Sequence, residues 1–191
     1  MHDQAVGGSD VRLRSPDAHN RLQLNQQRHP ATLHAVDITN SPTPTPTESA
    51  ETKAVAAAST AYRQFIAATD TSYASGGVNV AELKKHATGV MLAAELNQAA
   101  TFRGRKWHSV GRQRVVWVKP LTVGKPDASG QINGLTLQAC IDGSKATAVD
   151  ATGKSVKAPG TPLETIDEMR MLRVQGIWKA DYPQSRKAGK C

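Results

Sequence analysis

The sequence predicts one basic α+β domain over residues 48–191, carried behind a disordered N-terminal arm, and three observations predict it. Apolar residues recur at helical spacing through residues 55–102, they alternate at the two-residue period of a strand beyond Trp107, and neither period shows in residues 1–40. Helices that precede a run of antiparallel strands, rather than alternating with them, are the mark of an α+β domain. A chain of 191 residues has room for one domain of ordinary size with a single core.

Residues 1–40 contain many Gln, Asn, His, Pro and Asp and no aromatic residue, and their few aliphatics, such as Val11, Leu22 and Leu33, are too scattered to form a face. Such a segment cannot bury enough apolar surface to offset the entropy of ordering it, which predicts disorder. Residues 41–47, SPTPTPT, alternate proline with hydroxyl residues. That composition favours extended polyproline II and makes a semi-rigid linker.

The first helix is predicted from a start signal at the end of that linker, with Thr45 as cap, Pro46 at the first helical position and Glu48 where a capping box wants a carboxylate. Val55, Ala58, Tyr62, Phe65, Ile66 and Tyr73 lie along one helical stripe, with Thr69 its polar member, and the helix stops near Ser75-Gly76-Gly77. A shorter helix covers Val80 to His86. Leu92, Leu96, Ala99 and Ala100 fit the face of a third, which runs to about Phe102.

Beyond Trp107, Val115, Trp117, Leu121 and Val123 fall on one side of an extended segment, with Arg114, Val116, Val118 and Thr122 on the other. Leu135, Leu137, Ala139 and Ile141 alternate with Thr136, Gln138, Cys140 and Asp142, so this strand has one apolar and one polar face. Gly143-Ser144 turns the chain into Ala146 to Val149, and Thr152-Gly153 makes the next turn. A final pair, Ile166 to Val174 and Ile177 to Tyr182, is joined at Gln175-Gly176.

Four segments in this order resemble the cone-shaped fold of the nuclear-transport-factor and ketosteroid-isomerase group. They are Ala61 to Phe65 on the first helix, Leu137 to Ser144, the turn Asp150 to Lys154, and Val174 to Ala180. The resemblance covers roughly residues 50–191 and implies helices packed in a strongly curved antiparallel sheet. More narrowly, the chain is similar to the small envelope-associated, lipoprotein-type members common in actinobacteria. Those relatives carry a lipobox cysteine or a membrane helix ahead of a Pro/Thr/Ser-rich spacer, so the resemblance implies a cell-envelope or secreted protein. Read from Met1, the sequence has neither a secretory-signal order of residues nor a run of roughly 18 apolar residues, which predicts a cytoplasmic protein if the N-terminus stands as written.

The spacer and the resemblance also imply a disulfide between the two cysteines, Cys140 and Cys191. Two unrelated free thiols are the alternative, and the one expected of a cytosolic protein.

Charge narrows the partners without naming one. The chain has 24 Lys plus Arg against 16 Asp plus Glu, and only four of the former but five of the latter lie in residues 1–50. The excess positive charge therefore sits in the predicted domain and suits an anionic neighbour such as nucleic acid, anionic lipid or an acidic wall polymer. Lys84, Lys85, Arg103, Arg105, Lys106, Arg112 and Arg114 form a candidate basic patch in which Trp107 could stack on a base.

Metal binding is not expected, because no His lies at ligand spacing from either cysteine. No cofactor motif is present either. Gly143-Ser144-Lys145 is like the end of a phosphate loop, but Gln138 stands where its first glycine belongs.

Catalysis in the resembling fold uses a carboxylate and hydroxyl donors inside an apolar cone, and Tyr62, His108 and Asp142 are the residues that could supply them. Each has a plainer use, as core residue, exposed loop residue and turn former, so the sequence reads as non-catalytic. Tyr62, Phe65, Ile66, Trp117 and Leu137 are expected on the concave side of the sheet, where they fill the core or line a pocket. The expectation is a binding or assembly domain with a protein partner or envelope component, with self-association open to it. The alternative is a soluble accessory protein of a phage or mobile element that contacts nucleic acid or a protein.

Overall fold

The computed structural model describes residues 48–191. The predicted arm (1–40), the predicted linker (41–47) and the Thr45–Pro46 helix start lie outside the described residues.

The domain is α+β with antiparallel sheets. Helix α1 spans Ala50–Ala74, and its cap is Ser49 rather than Thr45: the Ser49 hydroxyl accepts from the Thr52 N–H at 3.1 Å. Ala58, Tyr62, Phe65, Ile66 and Thr69 of the predicted stripe are buried, together with Ala54 and Ala61, while its Val55 and Tyr73 are half-buried. The helix ends where Gly76 and Gly77 take positive φ, and a Cβ on Gly77 would stand 1.9 Å from the Ala99 carbonyl oxygen, so only glycine fits there.

Helix α2 is Ala81–His86 and α3 is Gly89–Arg105. Met91, Ala99 and Phe102 form the buried side of α3, whereas Leu92 and Leu96 are half-buried and Ala100, predicted on that face, is exposed.

Six strands follow: β1 His108–Val110, β2 Arg114–Val123, β3 Gly134–Asp142, β4 Thr147–Val149, β5 Glu164–Val174 and β6 Ile177–Ala188. β2-β3-β5-β6 form one antiparallel sheet, and β1 pairs with β4 in a separate two-stranded ribbon. Both edge strands of the larger sheet carry a proline, Pro120 in β2 and Pro183 in β6, and both prolines stand beside register shifts. An edge position spares proline a missing ladder hydrogen bond, and the extra residue of a bulge bends the strand.

The bulges correct two sequence expectations. In β2 the shifts at Val115/Trp117 and Pro120/Thr122 break strict alternation, so Val115, Val118 and Val123 pack on the core. Leu121, predicted on the same face as Val115, is 47% exposed, and Trp117 lies under the Lys119 ammonium, 5.0 Å from its ring centroid. In β6 the strand runs past Tyr182 and Pro183 to Ala188 instead of ending at Tyr182.

The β5–β6 turn is as predicted: Gln175 and Gly176 both have positive φ, the backbone that a two-residue hairpin requires. The core lies between α1 and the inward face of β3, β5 and β6, where Tyr62, Phe65, Leu137, Met169, Met171 and Ala180 are buried. Each large apolar side chain there contributes about 1.5–3 kcal/mol by leaving water.

Cys140 and Cys191 form a disulfide with Cα atoms 5.5 Å apart. Cys140 sits on the β3 face away from α1 but is fully buried, because the chain end folds back over it. The return is further held by the Gly189 N–H donating to the Glu164 carbonyl and the Cys191 N–H donating to the Glu164 carboxylate, each at 3.3 Å.

Candidate functional site: a cavity above a buried polar network

At one end of the larger sheet, the β1–β4 ribbon and the 157–163 segment enclose a cavity of about 480 Å³ against the C-terminal half of α1. Asp70 and Tyr73 reach it from α1, Ser109 from β1, Thr147 and Ala148 from β4, and Arg186 from β6. Ile141, Ala146, Pro162 and Leu163 supply apolar wall, with Lys157 and Lys187 among the lining residues. Its size lies in the range of small-molecule sites.

Its polar groups belong to a network that the fold largely satisfies from within. Asp167 points inward from β5 and is fully buried. An isolated charge there would be very costly, and two groups compensate it. The Tyr62 hydroxyl donates to Asp167 Oδ2 at 2.5 Å, while Arg186, its cross-strand partner on β6, donates from Nε to Oδ1 and from a terminal nitrogen to Oδ2, both at 3.2 Å. Burial, then the Asp167 charge, pushes the Tyr62 phenol well above its ordinary range, so Tyr62 remains a donor. Burial works against the Arg186 cation, but the Asp167 carboxylate outweighs it and the guanidinium is held more firmly protonated.

A second pair lies beside the first. The Tyr73 hydroxyl donates to Glu95 Oε2 at 2.5 Å, joining α1 to α3. Burial, then the nearby Glu95 charge, raises the Tyr73 phenol, and burial raises the Glu95 carboxyl against the pull of Tyr73 and Arg186. Asp70 accepts from the Gln113 N–H at 3.0 Å and from the Gln113 side-chain amide at 3.2 Å, and burial nevertheless raises its carboxyl. Tyr73 also stacks on Phe102 with centroids 4.6 Å apart, and Phe102 meets the edge of Trp107 at 6.1 Å.

The residues that the sequence offered as core fillers or pocket lining are mostly core. Tyr62, Phe65, Ile66 and Leu137 are core residues, and Trp117 is half-buried on β2; none of the five lines this cavity. Tyr62, Phe65, Ile66 and Leu137 fill the space between α1 and the sheet, and the opening lies instead beside the β1–β4 ribbon. Among Tyr62, His108 and Asp142, no hydrogen bond joins any two. Tyr62 is held by Asp167, His108 pairs with Val149 in the ribbon, and Asp142 accepts from the Ser144 N–H at 2.9 Å and from Arg114 at 3.1 Å.

The basic residues lie on three elements. Lys84 and Lys85 are on α2, where Lys85 pairs with Glu82 at 2.6 Å. Arg103, Arg105 and Lys106 end α3, with Arg105 stacked 4.8 Å over the Trp107 ring, so that one face of that ring is already covered. Arg112 and Arg114, with Lys145, line a smaller surface hollow. Among the described residues no group of three or more His, Cys, Asp or Glu side chains gathers as a metal site. Nor is any described helix long and apolar enough to cross a membrane.

Asp70, Glu95, Asp167 and Arg186 were not singled out from the sequence. Asp167 left a signal, as a carboxylate in step with Met169 and Met171 on the inward side of β5. Arg186 left none, because it follows Pro183 in a polar stretch that gives no strand period.

No family model matches the chain, and no curated protein does. Among solved structures, the chain is similar to the intermembrane-space region of chloroplast protein ARC6, at 13% identity and a TM-score of 0.48, with 75% of this chain and 100% of that one covered. It is also similar to a candidate aromatic ring hydroxylase of Novosphingobium aromaticivorans, at 12% identity and a TM-score of 0.38, with 70% and 92% covered. Likenesses this distant carry no assignment of activity or partner.

Proposed function

We propose that the chain is a non-catalytic binding domain of the bacterial cell envelope, built as the cone-shaped arrangement of the nuclear-transport-factor and ketosteroid-isomerase group and presented on a spacer. The observation that carries the binding reading is the cavity itself: about 480 Å³, with Asp167 bonded to Tyr62 and Arg186, and Tyr73 bonded to Glu95, beneath or beside it. Groups so mutually committed favour holding a shape over moving protons. The disulfide supports an oxidising compartment, since such bonds persist outside the cytosol. The Pro/Thr-rich linker of residues 41–47 suits a domain held off a surface.

A second reading, a soluble accessory protein of a phage or mobile element, draws its support from the exposed Arg112, Arg114 and Lys145 around their shared hollow. Arg114 is already paired with Asp142, and Trp107 is covered by Arg105, which weakens that surface for stacking on bases.

The test of the binding reading is a ligand-detected NMR screen of small polar and amphipathic compounds against the full chain and an Ala146→Trp variant, whose indole occupies the cavity. Binders found with the native protein and lost with the variant support the reading. A screen with no binders, or with binders indifferent to the variant, contradicts it.

A further inference from the structure

We propose that Arg112, Arg114 and Lys145 form a second binding site, for a phosphate monoester, in the hollow they share where the β1–β4 ribbon meets the larger sheet. This site has no lining residue in common with the cavity and stands whether or not the cavity binds.

The hollow is built by two connections that pass side by side. Residues 111–113 lead from β1 to β2, and residues 143–146 lead from β3 to β4. Both are fixed at their ends, by the Val110–Thr147 pair of the ribbon and the Arg114–Asp142 pair of the sheet. Between those pairs they meet closely: a Cβ on Gly111, whose φ is +78°, would stand 1.7 Å from the Lys145 carbonyl oxygen, so the approach requires glycine. Along the connections the residues divide between two sites. Gln113 donates to Asp70 and lines the cavity, as do Gly143 and Ala146, whereas Arg112, Arg114, Asp142 and Lys145 line the hollow, which holds about 280 Å³.

The charges of the hollow do not balance. Three cations stand against one carboxylate, an excess of two positive charges. Asp142 is occupied from within: the Ser144 hydroxyl and N–H and the Arg114 guanidinium hold its carboxyl down to about 2. Arg114 gives it an N–H from one terminal nitrogen, which leaves Nε and the other terminal nitrogen for a ligand. Arg112 and Lys145 make no ion pair with any described residue. Asp70, on the cavity side, also feels Arg112. Burial raises its carboxyl, and Gln113 pulls it back more strongly than Arg112 does.

The backbone therefore holds like charges together without a matching counter-ion, which favours an anion that brings two charges at once. A phosphate monoester carries about 1.5–2 negative charges at pH 7 and offers three terminal oxygens, one for each cation. A phosphodiester or a carboxylate brings a single charge and two free oxygens.

The test is a nitrogen–proton correlation titration of the full chain, at neutral pH and constant ionic strength, with methyl phosphate, dimethyl phosphate and acetate. It is repeated on Arg112→Gln/Lys145→Gln and, to remove two charges elsewhere, on Lys84→Gln/Lys85→Gln, both shown by circular dichroism to be folded. Methyl phosphate is expected to shift the amides of Arg112, Arg114 and Lys145 saturably and to bind at least about tenfold more tightly than dimethyl phosphate or acetate. That affinity is expected to fall at least about tenfold in the hollow variant, to change less than about twofold in the α2 variant, and to weaken as salt rises. No shift at these amides, equal affinity for methyl and dimethyl phosphate, or an equal loss in the two variants overturns the proposal. A short oligonucleotide or vesicles of anionic phosphodiester lipid that move these amides where methyl phosphate does not would replace the monoester with a polymer or a membrane surface. The compound screen against Ala146→Trp decides the cavity reading separately.

Discussion

Removing the Cys140–Cys191 link is expected to cost the domain a large part of its stability. The cysteines are 51 residues apart in sequence, and closing a loop of that length restricts the unfolded chain by about 4 kcal/mol in the chain-entropy model. Little of the native structure need change, because the backbone hydrogen bonds of Gly189 and Cys191 to Glu164 do not require the link. Single domains are stable by only about 5–15 kcal/mol, so the loss is a large fraction of the whole. For a domain of this size it corresponds to roughly 10–15 °C in the unfolding midpoint. The assay is urea unfolding followed by circular dichroism on the oxidised protein, the reduced protein and Cys191→Ser. The reduced protein and Cys191→Ser should agree with each other and unfold well before the oxidised form. A change below about 1 kcal/mol, or two titratable thiols in the native unreduced protein, would refute the reasoning.

The remaining predictions concern the buried network and the backbone. Arg186→Met leaves Asp167 with only the Tyr62 hydroxyl and should cost about 2 kcal/mol by thermal unfolding, below the roughly 3–5 kcal/mol of a fully buried pair because the guanidinium is 52% exposed. The Glu95 carboxyl is raised chiefly by burial, so the folded state holds its proton to higher pH than the unfolded chain does. Its contribution to stability is therefore full below the unfolded value of about 4.3 and is lost as pH rises through the folded value. Glu95→Gln, which stays neutral, should gain on the native protein over that rise, as read from urea midpoints between pH 4 and 8. Asp127 behaves oppositely: the Ser129 hydroxyl, the Gln131 N–H and the other donors of its loop hold it down to about 2. Its support for the fold is present above the unfolded value of about 3.9 and is lost as pH falls through about 2, so the stability gap to Asp127→Asn should close over that fall. Gly77→Ala places a Cβ against the Ala99 carbonyl in a left-handed backbone and should cost about 3 kcal/mol or prevent folding, while Gly153→Ala, with open space around it, should cost only about 1 kcal/mol.

The helices were legible in the sequence because their evidence is local. Val55 to Tyr73 repeats at the helical period, and the glycines that stop α1 are neighbours in sequence. The capping residue was placed a few positions early because Thr45 has the same hydroxyl as Ser49, whose bond from the Thr52 N–H identifies the cap of α1. Strand existence was legible for β2, β3, β5 and the first half of β6, but facing was not. A bulge adds a residue without any compositional mark, and from Trp117 onward the side assignment in β2 was wrong until the second bulge restored it at Val123.

The cavity was the least legible part, since it depends on where the β1–β4 ribbon stands relative to the sheet. Residues 108, 147, 163 and 186 have no local signal linking them, and the cavity opens among their neighbours. The sequence left Tyr62, Phe65, Ile66, Trp117 and Leu137 as core fillers or pocket lining, because an apolar stripe suits either, and all but Trp117 proved to be core. The paired charges were hidden for a related reason. Asp167 and Arg186 are 19 positions apart, and β6 brings them together only by continuing through Pro183 at a bulged edge.

The most direct measurement is a nitrogen–proton correlation titration of the full chain with the compounds that the ligand-detected screen returns. The account predicts saturable shifts concentrated at the amides of the cavity residues Ser109, Ala146, Ala148 and Leu163, with the α2 amides unmoved. Shifts scattered over the surface, or a screen that returns no compound, would contradict it.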